Sequence, residues 1–183
     1  MTPDERRQAI ISATLPLVLE HGRAITTAQI AKAAKVAEGT IFRVFSTKDD
    51  LIDATIESAF DMEPYLRAVE GLDTSGSVDE VVTRTAQLMI ERFKQVFRMF
   101  SVLGIKGPPP NRHPEDWAER VASAHDRLLG PHADELTLTP REVMRYVRLL
   151  AFSGSNPHIT DGVTLSAAQI AALVLDGTRR KAT

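Results

Sequence analysis

The stretch from Thr26 to Lys48, TTAQIAKAAKVAEGTIFRVFSTK, most constrains what this chain can fold into. Ile30, Ala31 and Ala34 share one face of a short helix running from Thr27 to about Ala34. Lys35, Val36 and Ala37 make the turn. Ile41 and Phe45, four residues apart, lie on the inner face of a second short helix, Glu38 to Phe45. Small Ala31 lets the two helices cross closely, and Val36 fills the corner. This is the layout of a helix-turn-helix, in which the first helix braces and the second lies in the major groove of DNA. Arg43 suits a phosphate or a guanine edge, Thr40 a base or a phosphate, and Lys48 a phosphate. Gly39 keeps that surface low enough for close approach. Glu38 has two readings: an acceptor for a cytosine N4 amine, or a group that stabilises the helix start.

Thr26, Ile30, Ala31, Ala34, Val36, Gly39, Thr40, Ile41, Phe42, Phe45, Thr47 and Lys48 also stand in a recognisable order. The segment from about residue 5 to residue 58 resembles the N-terminal region of TetR-type (TetR/AcrR-like) transcriptional regulators. Four residues depart from that family's pattern. Lys35 stands where the family prefers Gly; a turn residue with positive φ costs a non-glycine side chain on the order of 1 kcal/mol. Ala37 stands where a Ser would cap the recognition helix, a loss of about 1 kcal/mol. Phe42 replaces a Tyr and Val44 a His whose polar atoms meet phosphates in the family. DNA contact then falls to Thr26, Thr27, Arg43, Lys48 and backbone N–H groups.

The expected fold class is all-α, with an N-terminal three-helix DNA-binding head and a C-terminal helical ligand-binding and dimerisation body. The expected division is residues 1–46 and 47–183. The head opens with a helix over 3–21, carrying Ile10, Ile11, Thr14, Leu17 and Val18 on one stripe and stopped by Gly22. Pro16 inside it reads as a kink tolerated on the exposed side. Thr47 with Asp50 starts a fourth helix, expected to reach Leu66 or Val69. In the family this helix connects head to body. GLDTSGS (71–77) reads as a turn.

Ser77 to Leu103 reads as one long helix with two apolar faces, its Arg84, Arg92, Lys94 and Arg98 forming a solvated face. GIKGPPPNR (104–112) is a loop, either a flap over a ligand entrance or a plain connector. Pro114 opens a helix to about Gly130. Thr139, Pro140 and Glu142 start another, with one stripe through Val147 and Leu150 and a second through Tyr146, Leu149 and Phe152. Ser166 caps the last helix, and Arg179, Arg180 and Lys181 suit its C-terminal end.

The last two helices are apolar on more than one face, so one face needs a partner. A two-fold homodimer through 140–155 and 166–180, with Val147, Leu150, Ile170, Leu173 and Val174 at the interface, satisfies this. The resemblance implies the same arrangement, and a near-palindromic double-stranded operator follows from it. Met89, Phe93, Phe97, Phe100, Trp117, His125 and Met144 are either ordinary core or the lining of a pocket for a small hydrophobic effector. An effector that favours splayed heads would release DNA through the helix at 47–69. The reading is therefore a ligand-responsive regulator, by family default a repressor. The alternative is an activator, or an interaction protein with altered or lost DNA binding.

Composition closes off other classes. The chain has 183 residues and no cysteine, which removes disulfides, thiol chemistry and cysteine metal sites. No apolar run reaches membrane-spanning length and MTPDERRQ is not a signal peptide, so no membrane partner and a cytoplasmic location are expected. Residues 1–50 carry seven basic and six acidic residues, against fifteen and eighteen in the rest. That asymmetry has the right sign for an N-terminal DNA-binding head. No glycine-rich phosphate loop, nucleophile motif or metal-ligand spacing appears, so neither an enzyme nor a cofactor is expected.

Overall fold

The structure is a computed structural model that describes residues 2–104 and 116–179. Over these residues the chain runs α1 (Pro3–His21), a 3-10 turn (Gly22–Ala24), α2 (Thr27–Ala34), α3 (Glu38–Phe42), α4 (Lys48–Ala59), α5 (Glu63–Glu70) and α6 (Val78–Leu103). Then come α7 (Trp117–Leu129), a second 3-10 segment (Gly130–Glu135), α8 (Pro140–Gly154) and α9 (Ala167–Thr178). Among the described residues there is no strand, only an isolated antiparallel bridge pairing Leu136 with Arg179.

The helix starts are written in the local chemistry. Thr2, Thr26, Thr47, Thr139 and Ser166 each accept the backbone N–H three residues on. The side chains of Glu5, Gln29, Asp50, Glu142 and Gln169 reach back to the capping residue's own N–H. Each box satisfies two donors that a helix end leaves open, and its capping residue contributes about 1 kcal/mol.

The chain divides into two compact units. The first holds residues up to Asp61 together with the end of α6 from Val96. Its core joins Ile10, Val18, Ile30, Ile41, Phe45, Leu51, Ile52 and Met99. The apolar face of α4 thus lies in the same core as the helix-turn-helix, so compactness sets the limit of this unit beyond residue 46. Pro16 lies on the exposed side of α1, as its position on the helical wheel implies. Gly22 ends α1 at φ 62°, with the carbonyl oxygen of Val102 3.4 Å from where a Cβ would stand.

The second unit holds Met62–Gln95 and the described residues from 116 onward. Val81, Val82, Met89, Leu128, Val143, Met144, Val147, Ile170 and Val174 are in its core. Arg120 bridges Glu63 at 2.8 Å and Glu70 at 3.3 Å, and that hydrogen bond holds the Glu63 carboxyl below its ordinary range. Arg127 donates to the carbonyls of Val69 and Glu70, both at 2.9 Å, closing the C-terminal end of α5.

Four expectations need correction. The fourth helix stops at Ala59 rather than Leu66 or Val69, and a separate α5 starts at Glu63. Pro64 is the reason: it has no N–H to offer the carbonyl of Phe60, and it fits the first turn of a new helix. The recognition helix ends at Phe42, with Phe45 buried in the turn beyond it. Arg84 is not part of a solvated face: it donates to the carbonyls of Asp73, at 3.1 Å, and Ser75, and ties the 71–77 turn to α6. The helix expected to end at about Gly130 ends at Leu129 and is followed by a 3-10 segment over Gly130–Glu135 that the sequence reading did not include. Most of the proline loop, the helix start at Pro114, and Arg180 and Lys181 lie outside the described residues.

Candidate nucleic-acid interface

The helix-turn-helix is built as its residue types require. Ile30 and Ala31 of α2 and Ile41 of α3 are buried in the same core as Ile10 and Val18 of α1 and Leu51 and Ile52 of α4. Lys35 adopts φ 55° and ψ 42°, the left-handed conformation for which the family uses Gly, and its N–H closes the end of α2. Ala37 starts α3 with no side-chain cap. Val36 and Val44 pack against the head core, half-buried. Val44 therefore takes a packing role in place of a polar one.

The face opposite that core carries Gly39, Phe42 and Arg43, all exposed, with half-buried Thr40. Among the described residues, none beyond its own helix and chain neighbours lies within 4 Å of where a Gly39 Cβ would stand, so the surface there is open. Phe42 leaves 50% of its surface exposed. Arg43 makes no hydrogen bond or ion pair among the described residues, so its guanidinium is available to a partner.

Other expected DNA-contacting residues have intramolecular work. The Thr26 hydroxyl caps α2 by accepting from Gln29. Thr27 donates its hydroxyl to the Glu38 carboxylate across the turn. The Lys48 ammonium donates to the carbonyls of Arg23 at 3.2 Å and Ile25 at 3.1 Å. Arg23, which sequence reasoning did not single out, pairs with Asp53 at 2.5 Å. Arg7 lies 4.4 Å from the centre of the Phe45 ring, a cation–π contact that braces α1 over the turn.

The residues expected to line a ligand pocket do not sit in one unit. Phe97 and Phe100 belong to the first, where the Phe100 ring stacks on Phe60 at 5.8 Å. Met89, Phe93, Trp117, His125 and Met144 belong to the second. Met89 and Met144 are fully buried in its core, and Phe93 meets Phe152 edge-on at 5.3 Å. His125 is only 6% exposed, and its Nε2 is buried without a hydrogen-bond partner among the described residues. Burial pushes this imidazole down to about 4, Arg148 and Arg141 add to the effect, and Asp126 opposes it.

The expected interface set divides by burial. Val147, Ile170 and Val174 are buried within the chain, and Leu150 packs partly buried against the same core. Of the five, Leu173 alone is exposed, at 57%. The exposed apolar groups of α8 are Tyr146, Leu149 and Phe152, the second stripe read from the sequence. A helix can bury only one stripe in its own core, and here the Val143, Val147 and Ala151 stripe takes that place.

The described residues thus combine an exposed helix-turn-helix in the first unit with a second, helical unit. Residues 10–55 match the family model for bacterial regulatory proteins of the tetR family. The HTH-type transcriptional regulator HbdR of Aromatoleum sp. (strain CIB) is 42% identical over 72 residues, 38% of this chain and 31% of that protein. The HTH-type regulator YdeS of Bacillus subtilis (strain 168) is 37% identical over 83 residues, 44% of this chain and 39% of that one. The chain thus spans less than half the length of the curated relatives it matches. A TetR transcriptional regulator from Streptomyces coelicolor superposes with a TM-score of 0.59 at 23% identity, over 96% of this chain and 99% of that one. A TetR-family structure from Mesorhizobium loti gives 0.63 at 14% identity, over 98% and 100%. This chain carries the TetR-type helix-turn-helix head, and its fold is that of the TetR family along nearly its whole length.

Proposed function

We propose that the chain is a ligand-responsive transcriptional regulator, acting as a repressor, that binds a near-palindromic operator as a homodimer. The observation that supports this best is the recognition segment. A left-handed turn at Lys35 seats α3 on the head core and leaves Gly39, Thr40, Phe42 and Arg43 facing outward. A two-fold dimer sets two such helices about 34 Å apart, one turn of DNA. Arg43 contacts phosphate or guanine and Thr40 a base or phosphate, with Thr26, Thr27, Ala37, Glu38, Gly39, Phe42 and Lys48 completing the contact surface. A small hydrophobic effector bound in the body releases the operator through the segment 47–69, now two helices with a break after Ala59.

The test is selection of a randomised duplex library by the full chain, followed by fluorescence anisotropy of the enriched duplex against a scrambled one at several salt concentrations. Preference for the enriched duplex by about 10³ supports operator binding. Equal weak binding overturns it. A second reading, altered or lost DNA binding, draws on Thr26, Thr27 and Lys48 being engaged within the chain and on Phe42 and Val44 lacking polar atoms. It predicts that equal, weak binding.

A further inference from the structure

Thr27 is the first residue of α2 and Glu38 the first of α3, eleven positions apart, and the Thr27 hydroxyl donates to Glu38 Oε1. Thr27 is half-buried while Glu38 is exposed beside open Gly39. The second carboxylate oxygen of Glu38 has no hydrogen-bond partner among the described residues. The Thr27 hydroxyl therefore restrains the exposed carboxylate through one oxygen and leaves the other to accept from a partner.

An ionised carboxylate accepts hydrogen bonds and donates none. On a surface docked in the major groove it is repelled by phosphates and by the acceptor edges of guanine and thymine. The donors offered there are the N6 amine of adenine and the N4 amine of cytosine. The adenine amine lies beside N7, an acceptor that opposes a carboxylate; the cytosine amine lies beside a C–H edge that does not. We propose that Glu38 reads a cytosine in each half-site and that Thr27 is the positioning residue that aims it. This rests on the DNA-binding reading above and assigns one base preference within it.

The experiment uses the full chain and the duplex it enriches from a randomised library. Each half-site position is replaced in turn by the other three bases, and affinity is read by anisotropy. One position is expected to favour cytosine by about tenfold or more. Glu38→Gln retains an oxygen for the Thr27 hydroxyl but adds an amide donor, so it abolishes the cytosine preference at that position only. Thr27→Val weakens the same preference at an unchanged unfolding midpoint, and Thr27→Ser restores it. If the wild-type chain enriches no motif, the DNA-binding reading itself fails. If it enriches one and Glu38→Gln leaves every position unchanged, the cytosine assignment alone fails. If Thr27→Val leaves the preference intact, the positioning role is overturned.

Discussion

The ammonium of Lys48 donates to the carbonyl oxygen of Ile25 at 3.1 Å, and from there also reaches the carbonyl of Arg23. A residue expected to clamp phosphate thus also closes the 3-10 turn that leads into the helix-turn-helix. Lys48→Met is expected to lower the stability of the head by about 1 kcal/mol, because two carbonyls lose a charged donor. Urea denaturation followed by circular dichroism measures this. An unchanged midpoint would mean that water replaces the ammonium without loss.

The recognition segment carries two local costs that substitution should relieve. Lys35→Gly removes a side chain from a left-handed conformation, and Ala37→Ser supplies the missing cap of α3. Each should stabilise the chain by about 1 kcal/mol. The two add only in part, because neighbouring sites couple. Thermal unfolding of the single and double variants checks both.

Arg43 caps the C-terminal end of the recognition helix as an exposed cation with no partner among the described residues. Arg43→Ala should weaken operator binding by about tenfold or more and reduce the salt slope by about one. Anisotropy across a salt series reads both quantities. A lost affinity with an unchanged slope would assign Arg43 to a base edge instead of a phosphate.

His125 makes stability depend on pH. Its imidazole is pushed down to about 4 by burial, against an ordinary 6.5. Between those values the unfolded chain takes up a proton that the folded chain refuses. Stability is therefore undiminished above pH 6.5 and falls as the pH drops toward 4, by roughly 3 kcal/mol from this group. His125→Leu should remove that part of the slope and leave the rest. Urea midpoints of both proteins at several pH values decide it.

Leu149 and Leu173 are 50% and 57% exposed, whereas Ile170 is fully buried. Under the proposed homodimer, Leu149→Asp or Leu173→Asp yields a folded monomer, visible by analytical ultracentrifugation at unchanged helicity. Ile170→Ala instead costs about 2–5 kcal/mol of the protomer's own stability. Dimers persisting in both aspartate variants would place the interface elsewhere.

Much of the head was legible because its determinants are local. Thr47 with Asp50 starts a helix, Gly22 ends one, and Ile30, Ala31 and Ile41 are spaced to meet across a short turn. The break after Ala59 was legible in principle, since Pro64 lacks the N–H that a continuous helix needs, but the apolar stripe around it masked the signal. The candidate DNA surface was legible by position and less so by availability. Residue types do not say that Thr27 binds Glu38 or that Lys48 caps backbone carbonyls, because those partners are eleven and more than twenty residues away.

The sequence by itself determined the helices, their capped starts and the helix-turn-helix, because hydrogen bonds within four residues and the period of the apolar side chains set them. Tertiary structure decided which of two apolar stripes α8 buries and which apolar residue α9 leaves outside. On α8, Val147 went inward and Leu149 stayed out; on α9, Ile170 and Val174 went inward and Leu173 stayed out. Both stripes of α8, and Leu173 of α9, are apolar enough to be core. Only the packing of neighbouring helices selects between them, and that information is spread over the whole chain.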